Sequence, residues 1–417
     1  MKRAFLFILF GMLGFSVSAQ VTSGPAPPTN VTATVDAPPP STGTAIDPSY
    51  FGMHATNQTA DSAMWPTVPV GAVRLWDTHT AWNDLEPSNG TFNWQTLDMY
   101  LNLAQQHNVD VLYTFGHTAA WASSGSNSGC SQFPQSCFPP TNMQDWDNFV
   151  RAVVTHAAGR IKYWEIWNEA NAANFWSGST ATLVTMATDA YNIIKTADPS
   201  AIVLGPSVAS LPPSESAFLT DYFSHGGAAV TDVVNFHAHK VDANNPDTVL
   251  NFVTAVKAVM AQQGLSGKPM WNTEGGWSPA DANFAADPRS AGYVAREYVL
   301  QQSNGVARFY WYSWNSKLGW GTMWTPSGTN SAGVAYGQVY NWLVGAVMDP
   351  CAMAPDSTWT CALTRPGGNP ALIVWNSAGT ISYQPASTYK QYFDLAGNKN
   401  PINGPVSIGY NPILLTN

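Results

Sequence analysis

From Thr44 onward the chain alternates short apolar stretches with longer segments of helical period, and it does so eight times. The strand-like stretches are 49–55 (SYFGMHA), 72–77 (AVRLWD), 110–117 (DVLYTFGH), 162–169 (KYWEIWNE), 201–207 (AIVLGPS), 232–239 (DVVNFHAH), 268–274 (KPMWNTE) and 308–314 (RFYWYSW). Between most of them apolar residues recur at i, i+3 and i+4, as in WQTLDMYLNLAQQHN, MQDWDNFVRAVVTHAAG, TLVTMATDAYNIIKTAD, DTVLNFVTAVKAVMAQQG and RSAGYVAREYVLQQSNG. Several of these segments end in Gly or Asn, as helix C-termini do. Eight strand–helix units over roughly 300 residues predict an α/β fold, a (β/α)8 TIM barrel, over residues 44–347. A doubly wound open sheet is the alternative, but no Gly-rich phosphate loop accompanies one here.

The pattern changes after Met348. CALTRPGG, PALIVWNS, ISYQ, KQYFDLAG and PVSIGYNPILLTN are short strands parted by turn residues. Residues 348–417 therefore read as a small C-terminal all-β accessory domain, too small to be expected alone and so packed on the barrel. At the other end, Lys2 and Arg3 precede an apolar run that closes on Val17-Ser18-Ala19. Residues 1–19 read as a secretory signal peptide, and 20–43, rich in Pro, Ser and Thr, as a linker. A secreted or periplasmic protein is expected, with no membrane insertion after leader cleavage, since no later stretch is apolar enough to span a bilayer. The four cysteines form two close pairs, Cys130/Cys137 and Cys351/Cys361. Two local disulfides fit an oxidising compartment, and pairing across the groups stays open. Loss of Lys2 and Arg3 takes the net charge from −9 to −11, and no basic run is present, which argues against a nucleic-acid partner.

In a barrel of this kind the C-terminal ends of the strands converge on one face. His54, Arg74 and Trp76, His117, Asn168-Glu169, His237 and His239, Glu274, and Trp311 and Trp314 fall at or near those ends. Two of these residues, Glu169 and Glu274, are carboxylates that would oppose each other across the mouth. Glycoside hydrolysis needs such a pair: one carboxyl protonates the leaving oxygen, and the other attacks the anomeric carbon or activates water. A separation of about 5–5.5 Å gives retention and about 6.5–9.5 Å gives inversion. Apolar aromatic walls raise the acid's pKa and stack on sugar faces. The chain is 12% aromatic, well above the need of a core.

WEIWNEAN resembles the strand-4 motif of the clan A glycoside hydrolases, and MWNTEGGWS their strand-7 motif; glycoside hydrolase family 39 is the likeness that fits the barrel, 44–345, and the β appendage. The resemblance implies that Glu169 is the acid/base, Glu274 the nucleophile and Asn168 the donor to a sugar 2-hydroxyl. It places Arg74 near the nucleophile and His237 in the site. The clan often carries a Tyr near the end of strand 6, where this chain has His239, which leaves the hydrogen-bond partner of Glu274 open. A poly- or oligosaccharide substrate and no cofactor follow.

Each of these residues has a second, structural reading. Glu169 could cap a helix and Glu274 could be a turn residue. Arg74 could be a purely structural ion pair, with Glu165, deeper on the strand, as its buried partner. His237, His239, His54 and His117 could serve substrate or barrel-top hydrogen bonding. Trp121, Trp176, Trp277, Trp311, Trp314 and Trp320 exceed what a core needs, and Trp277 and Trp311 are the expected sugar platforms. His237-X-His239 has metal-ligand spacing, but no HExxH set completes a metal site, and no G-x-S-x-G elbow supports an esterase. A retaining hydrolase is expected; a carbohydrate-binding barrel without turnover and an inverting hydrolase are the alternatives.

Overall fold

The computed structural model describes residues 43–56, 65–125, 129–209, 213–239, 241–278, 283–316 and 319–417. The expected leader, and the linker up to its last residue, lie outside the described residues. Eight strands run parallel: β1 (Phe51–Met53), β2 (Ala72–Leu75), β3 (Asp110–Thr114), β4 (Tyr163–Glu165), β5 (Ile202–Leu204), β6 (Val234–His239), β7 (Met270–Gly276) and β8 (Val306–Trp311). Their order is β5-β4-β3-β2-β1-β8-β7-β6. A parallel bridge between Leu204 and Val233 joins the two ends of that order, so the sheet closes into a barrel. All eight expected strands are present, but several stop short of their expected C-terminal ends. In 162–169 only three residues stay in the ladder, because the chain turns its next side chains into the barrel mouth.

The helices are α1 (Trp82–Leu85), α2 (Gln95–His107), α3 (Met143–Ala157), α4 (Thr180–Ala197), α5 (Ser214–Ser224), α6 (Val249–Gln262), α7 (Arg289–Ser303) and α8 (Ser331–Leu343). Polar caps start three of them: Asn142 accepts from Gln144 N at 3.2 Å, Ser179 from Thr182 N at 3.1 Å and Asn330 from Gly333 N at 3.0 Å. The helical period identifies α2, α3, α4, α6 and α7 and misses the single-turn α1 as well as α5 and α8. Helix α8 has no charged residue and buries eight of its 13 positions, so no polar face marks the period.

The N-terminal end of the barrel is an apolar plug. Ala72, Leu112, Leu204, Val233, Trp271 and Tyr310 form a buried cluster there. Gly52 lies so close to the Tyr310 ring that a Cβ would come within 2.4 Å of it. The guanidinium of Arg308 is held between the rings of Tyr163 (4.2 Å) and Trp271 (4.6 Å) and pairs with Asp110 at 2.7 Å.

Beyond α8 the chain forms a seven-stranded antiparallel sheet around Thr358–Arg365 and Asn369–Asn376, and a two-stranded one. Cys361, Ile373, Trp375 and Leu414 of this region belong to the same buried cluster as the barrel helices. Tyr410 donates to Ala243 O at 2.6 Å and lies 4.7 Å from the Arg296 guanidinium. Disulfides join Cys130 to Cys137 and Cys351 to Cys361.

Candidate active site

The mouth is organised by one buried guanidinium. Arg74, on β2, donates through Nε to Glu165 Oε2, through Nη1 to Glu274 Oε2 and through Nη2 to Asn168 Oδ1, each at 2.7 Å. All three acceptors come from β4, β7 and the turn after β4, so this cation fixes the mutual position of the groups around it. Glu165 is fully buried. Besides Arg74, it accepts from Thr114 Oγ1 (2.7 Å), Asn235 Nδ2 (2.5 Å) and Thr273 Oγ1 (2.7 Å). Four donors saturate a carboxylate, so Glu165 has no capacity left for a substrate and acts as the counter-ion of Arg74.

Glu274 is aimed by an irregularity in β7. His237 on β6 pairs with Glu274 while its predecessor Phe236 pairs with Asn272, so β7 carries one residue more than its neighbour. The bulge turns two successive side chains inward: Thr273 reaches Glu165 and Glu274 reaches Arg74. His239 Nε2 donates to Glu274 Oε1 at 2.8 Å, which answers which group holds this carboxylate where the clan often has a tyrosine. Burial pushes the Glu274 carboxyl upward, but the charges of His237, His239 and Arg74 and the His239 hydrogen bond outweigh it and hold the pKa well below the usual glutamate value. The same contact acts on His239. Burial pulls its pKa down, and the Glu274 hydrogen bond and charge, with the Glu169 charge, carry it above the ordinary histidine value.

Glu169 is presented by a contorted turn. Trp167 has φ 101° and Glu169 φ 46°, both in the left-handed region that side chains disfavour. Ser207, after β5, holds that turn: its Oγ accepts from Glu169 N at 3.0 Å and its N donates to Trp167 O at 3.0 Å. Trp167 Nε1 adds a bond to Phe175 O at 2.9 Å. His237 Nδ1 lies 3.0 Å from Glu169 Oε1 and 3.9 Å from Glu274 Oε2, between the two carboxylates. A ligand atom taken from each of Glu169, His237, His239 and Glu274 lies within 4.8 Å of the others. These four are the residues that could hold a metal ion, but Arg74 already supplies a fixed cation to Glu274.

Four expected substrate contacts need correction. Trp277 and Trp311, expected as sugar platforms, are fully buried; their rings meet at 5.3 Å and pack on Tyr293. They are core, because the chain folds back after β8 and covers them: Trp311 Nε1 donates to Gly321 O at 2.6 Å. His54 is fully buried, with Nε2 donating to Thr273 O at 3.0 Å; burial and then the Arg74 charge push its pKa to about 3, so it is neutral. It supports Thr273 and the Tyr312 ring, 4.9 Å away, from within the barrel. His117 stacks on Trp76 at 4.7 Å and bonds Ser136 Oγ at 3.1 Å, and burial pushes it to about 4. Trp176 and Trp314 are buried as well. Trp320, half-buried and 4.8 Å from the His239 ring, is an aromatic at the mouth.

Sequence reasoning passed over Asn235, Thr114, Thr273, Ser207, Asp77 and Tyr312. For Asn235 a signal was present: Asn235, His237 and His239 alternate on β6, and that two-residue period puts polar groups on the inner face. Thr273 and Ser207 had no such signal, since a bulge and a turn aim them.

A glycosyl hydrolase family 10 model matches residues 43–203, which include Glu169 and stop short of Glu274. The beta-xylosidase of Geobacillus stearothermophilus is 24% identical over 234 residues, 50% of this chain and 45% of that protein; the match thus spans less than half of that relative. The chain is similar to the clan A glycoside hydrolases. Among solved structures, a GH39 beta-xylosidase from Caulobacter crescentus superposes with a TM-score of 0.66 at 16% identity, covering 89% of this chain and 97% of that one. A glucosidase from Croceicoccus marinus gives 0.64 at 13%, covering 89% and 98%. A GH30 endoxylanase from Clostridium papyrosolvens gives 0.58 at 13%, covering 88% and 95%. At these identities the structural likeness establishes the (β/α)8 fold.

Proposed function

We propose that this protein is a retaining glycoside hydrolase of the xylosidase or xylanase type. The observation that carries the reading is the approach of Glu169 and Glu274, whose nearest ligand atoms lie within 4.8 Å across the barrel mouth. That spacing is on the retaining side of the range, short of the wider separation an inverting pair uses. Glu274, ionised and held by Arg74 and His239, attacks the anomeric carbon and forms a glycosyl ester. Glu169 gives its proton to the departing glycosidic oxygen as that bond breaks. Water then enters, Glu169 takes a proton from it, and the hydroxyl displaces Glu274. Arg74 holds the carbonyl oxygen of Asn168, so its amide nitrogen is the group that donates to the sugar 2-hydroxyl. His237, beside both carboxylates, keeps Glu169 oriented as its proton leaves and returns.

The names of the relatives make β-linked xylose the first substrate to offer. A leader-like N-terminus and two disulfides support export to an oxidising compartment. The test is hydrolysis of aryl β-xyloside and xylan, with the anomer of the first-formed product followed by NMR. The expected product is the β-anomer. A first-formed α-anomer would replace this reading with the inverting one, and binding of xylan with no cleavage at all would favour the barrel without turnover.

A further inference from the structure

Asp77 lies three residues beyond Arg74, past the end of β2, and the clan motifs give it no role. Its backbone is left-handed, φ 57°, and its carboxyl is bonded on both sides. Tyr312, after β8, donates its hydroxyl to Oδ2 at 2.5 Å, a bond that passes over β1, the strand between β8 and β2. Gln132 donates its side-chain amide to Oδ1 from the opposite side. Gln132 belongs to the loop closed by the Cys130–Cys137 disulfide. That loop is tied down along its length: Thr118 N donates to Ser136 O at 2.9 Å, Ser131 N to Asn174 O at 2.7 Å and Ser177 N to Cys137 O at 2.7 Å. Phe133 of the loop meets the His117 ring edge-on at 5.4 Å.

Followed in order, these bonds make a rim. It runs from Tyr312 after β8, to Asp77 after β2, across the disulfide loop over β3, to Asn174 after β4. Half of the barrel mouth is walled by it. Glu274 is linked to the wall from inside, since its partner His239 packs its ring 5.9 Å from Tyr312. The charge of Glu274 is also felt at Asp77, whose pKa is raised, mainly by burial.

We propose that Asp77 is a specificity-determining residue at a blind end of the glycone site, and that the enzyme removes units from the non-reducing end of a chain. The proposal rests on the hydrolase reading above. In that reading the glycone ring is the part bonded to Glu274, and the leaving group departs past Glu169. A chain continuing beyond the glycone toward β2 would have to part Asp77 from Tyr312 and Gln132. A terminal ring instead offers free hydroxyls there, and a carboxylate accepts a pair of vicinal hydroxyls well. An internal ring lacks one of those hydroxyls, because it carries the next sugar.

The test uses reducing-end-labelled xylo-oligosaccharides, one set free and one set blocked at the non-reducing terminal hydroxyl, with the wild type, Asp77→Ala, Gln132→Ala and Glu274→Gln, and with thermal melts to show that each variant folds. The expected result is release of terminal units from the free set and resistance of the blocked set. Asp77→Ala is expected to lose roughly 10- to 100-fold in kcat/KM on the free set, the worth of hydrogen bonds to a charged group. Gln132→Ala is expected to begin cutting the blocked set. Internal cleavage of the blocked set by the wild type, at a rate near that of the free set, would overturn the blind end while leaving the hydrolase reading intact. Absence of cleavage of either set, with the wild type equal to Glu274→Gln, would overturn the hydrolase reading and this proposal with it.

Discussion

The two ends of the barrel are built from the same eight strands and solve opposite problems. At the N-terminal end Ala72, Leu112, Leu204, Trp271 and Tyr310 fill the interior with apolar surface, and the charge of Arg308 is shared among rings and Asp110. At the C-terminal end Arg74, Glu165, Asn168, His237 and Glu274 are just as buried but almost wholly polar. Dispersion and water exclusion hold the first end, and a closed set of charge-assisted hydrogen bonds holds the second. The difference teaches where substitution separates stability from chemistry. The plug can be altered at a cost in stability alone, whereas at the mouth the loss of a group affects chemistry, with a stability cost that is small for the glutamates and His239 and large for the arginine that joins them.

The largest effects belong to the two glutamates. Glu274→Gln is expected to lower kcat/KM by on the order of 10⁴-fold or more, and Glu169→Gln by about 10²–10⁴-fold on a substrate with a poor leaving group. Both should melt within a few degrees of wild type. Calorimetry beside a steady-state assay reads both quantities, and a large loss of stability in either variant would erase the contrast between the ends.

Next come the two arginines. Arg74→Ala leaves Glu165 and Glu274 buried without their cation, so a loss of about 3–5 kcal/mol in stability is expected together with loss of turnover. Arg308→Leu removes a cation from the plug and should cost only about 1–2 kcal/mol, with kcat/KM of the folded enzyme within about twofold of wild type. Denaturant titration of the two variants gives the comparison. Equal penalties would mean that the mouth network is held by something other than Arg74.

What the sequence made legible follows the same division. The plug and the barrel come from periodicity: eight apolar strands and five periodic helices were readable because burial imposes repeats of two and 3.6 residues. Glu169, Glu274, Asn168, Arg74, His237 and His239 were readable because they fall at strand ends, and the structure brings all six together. The aromatic platforms were misread. Trp277 and Trp311 fall at or just past strand ends as the glutamates do, but the loop through Gly321 folds over them, and nothing local in the sequence announces that return. Asp77 and Ser207 act through backbone turns and partners distant in sequence, so neither period nor motif marks them.

The pH dependence is a finer probe of the mouth. The folded pKa of Glu274 is depressed, so its contribution to stability is present above the unfolded value of about 4.3 and is lost as pH falls through the lower folded value. His239 is raised, so its contribution is present below about 6.5 and is lost as pH rises through the higher folded value. Together they predict that the site adds most stability between those two unfolded values. The difference in melting temperature between wild type and His239→Gln should be largest near pH 5–6 and shrink on the alkaline side. A difference that grows with pH would contradict the His239–Glu274 pairing. The smallest expected effects separate the tryptophans: Trp320→Ala should raise KM several-fold, as loss of one stacking face does, whereas Trp311→Phe should lower stability and leave KM unchanged.

The most direct measurement is mass spectrometry of the protein after reaction with a 2-deoxy-2-fluoro-β-xyloside bearing a good leaving group, which slows the release of a glycosyl ester. A single adduct, mapped to Glu274 in the peptide containing Met270–Gly276 and absent from Glu274→Gln, is the predicted result. A turnover-competent enzyme that forms no adduct, or one that carries it on Glu169 or Asp77, would contradict the assignment of Glu274 as the nucleophile.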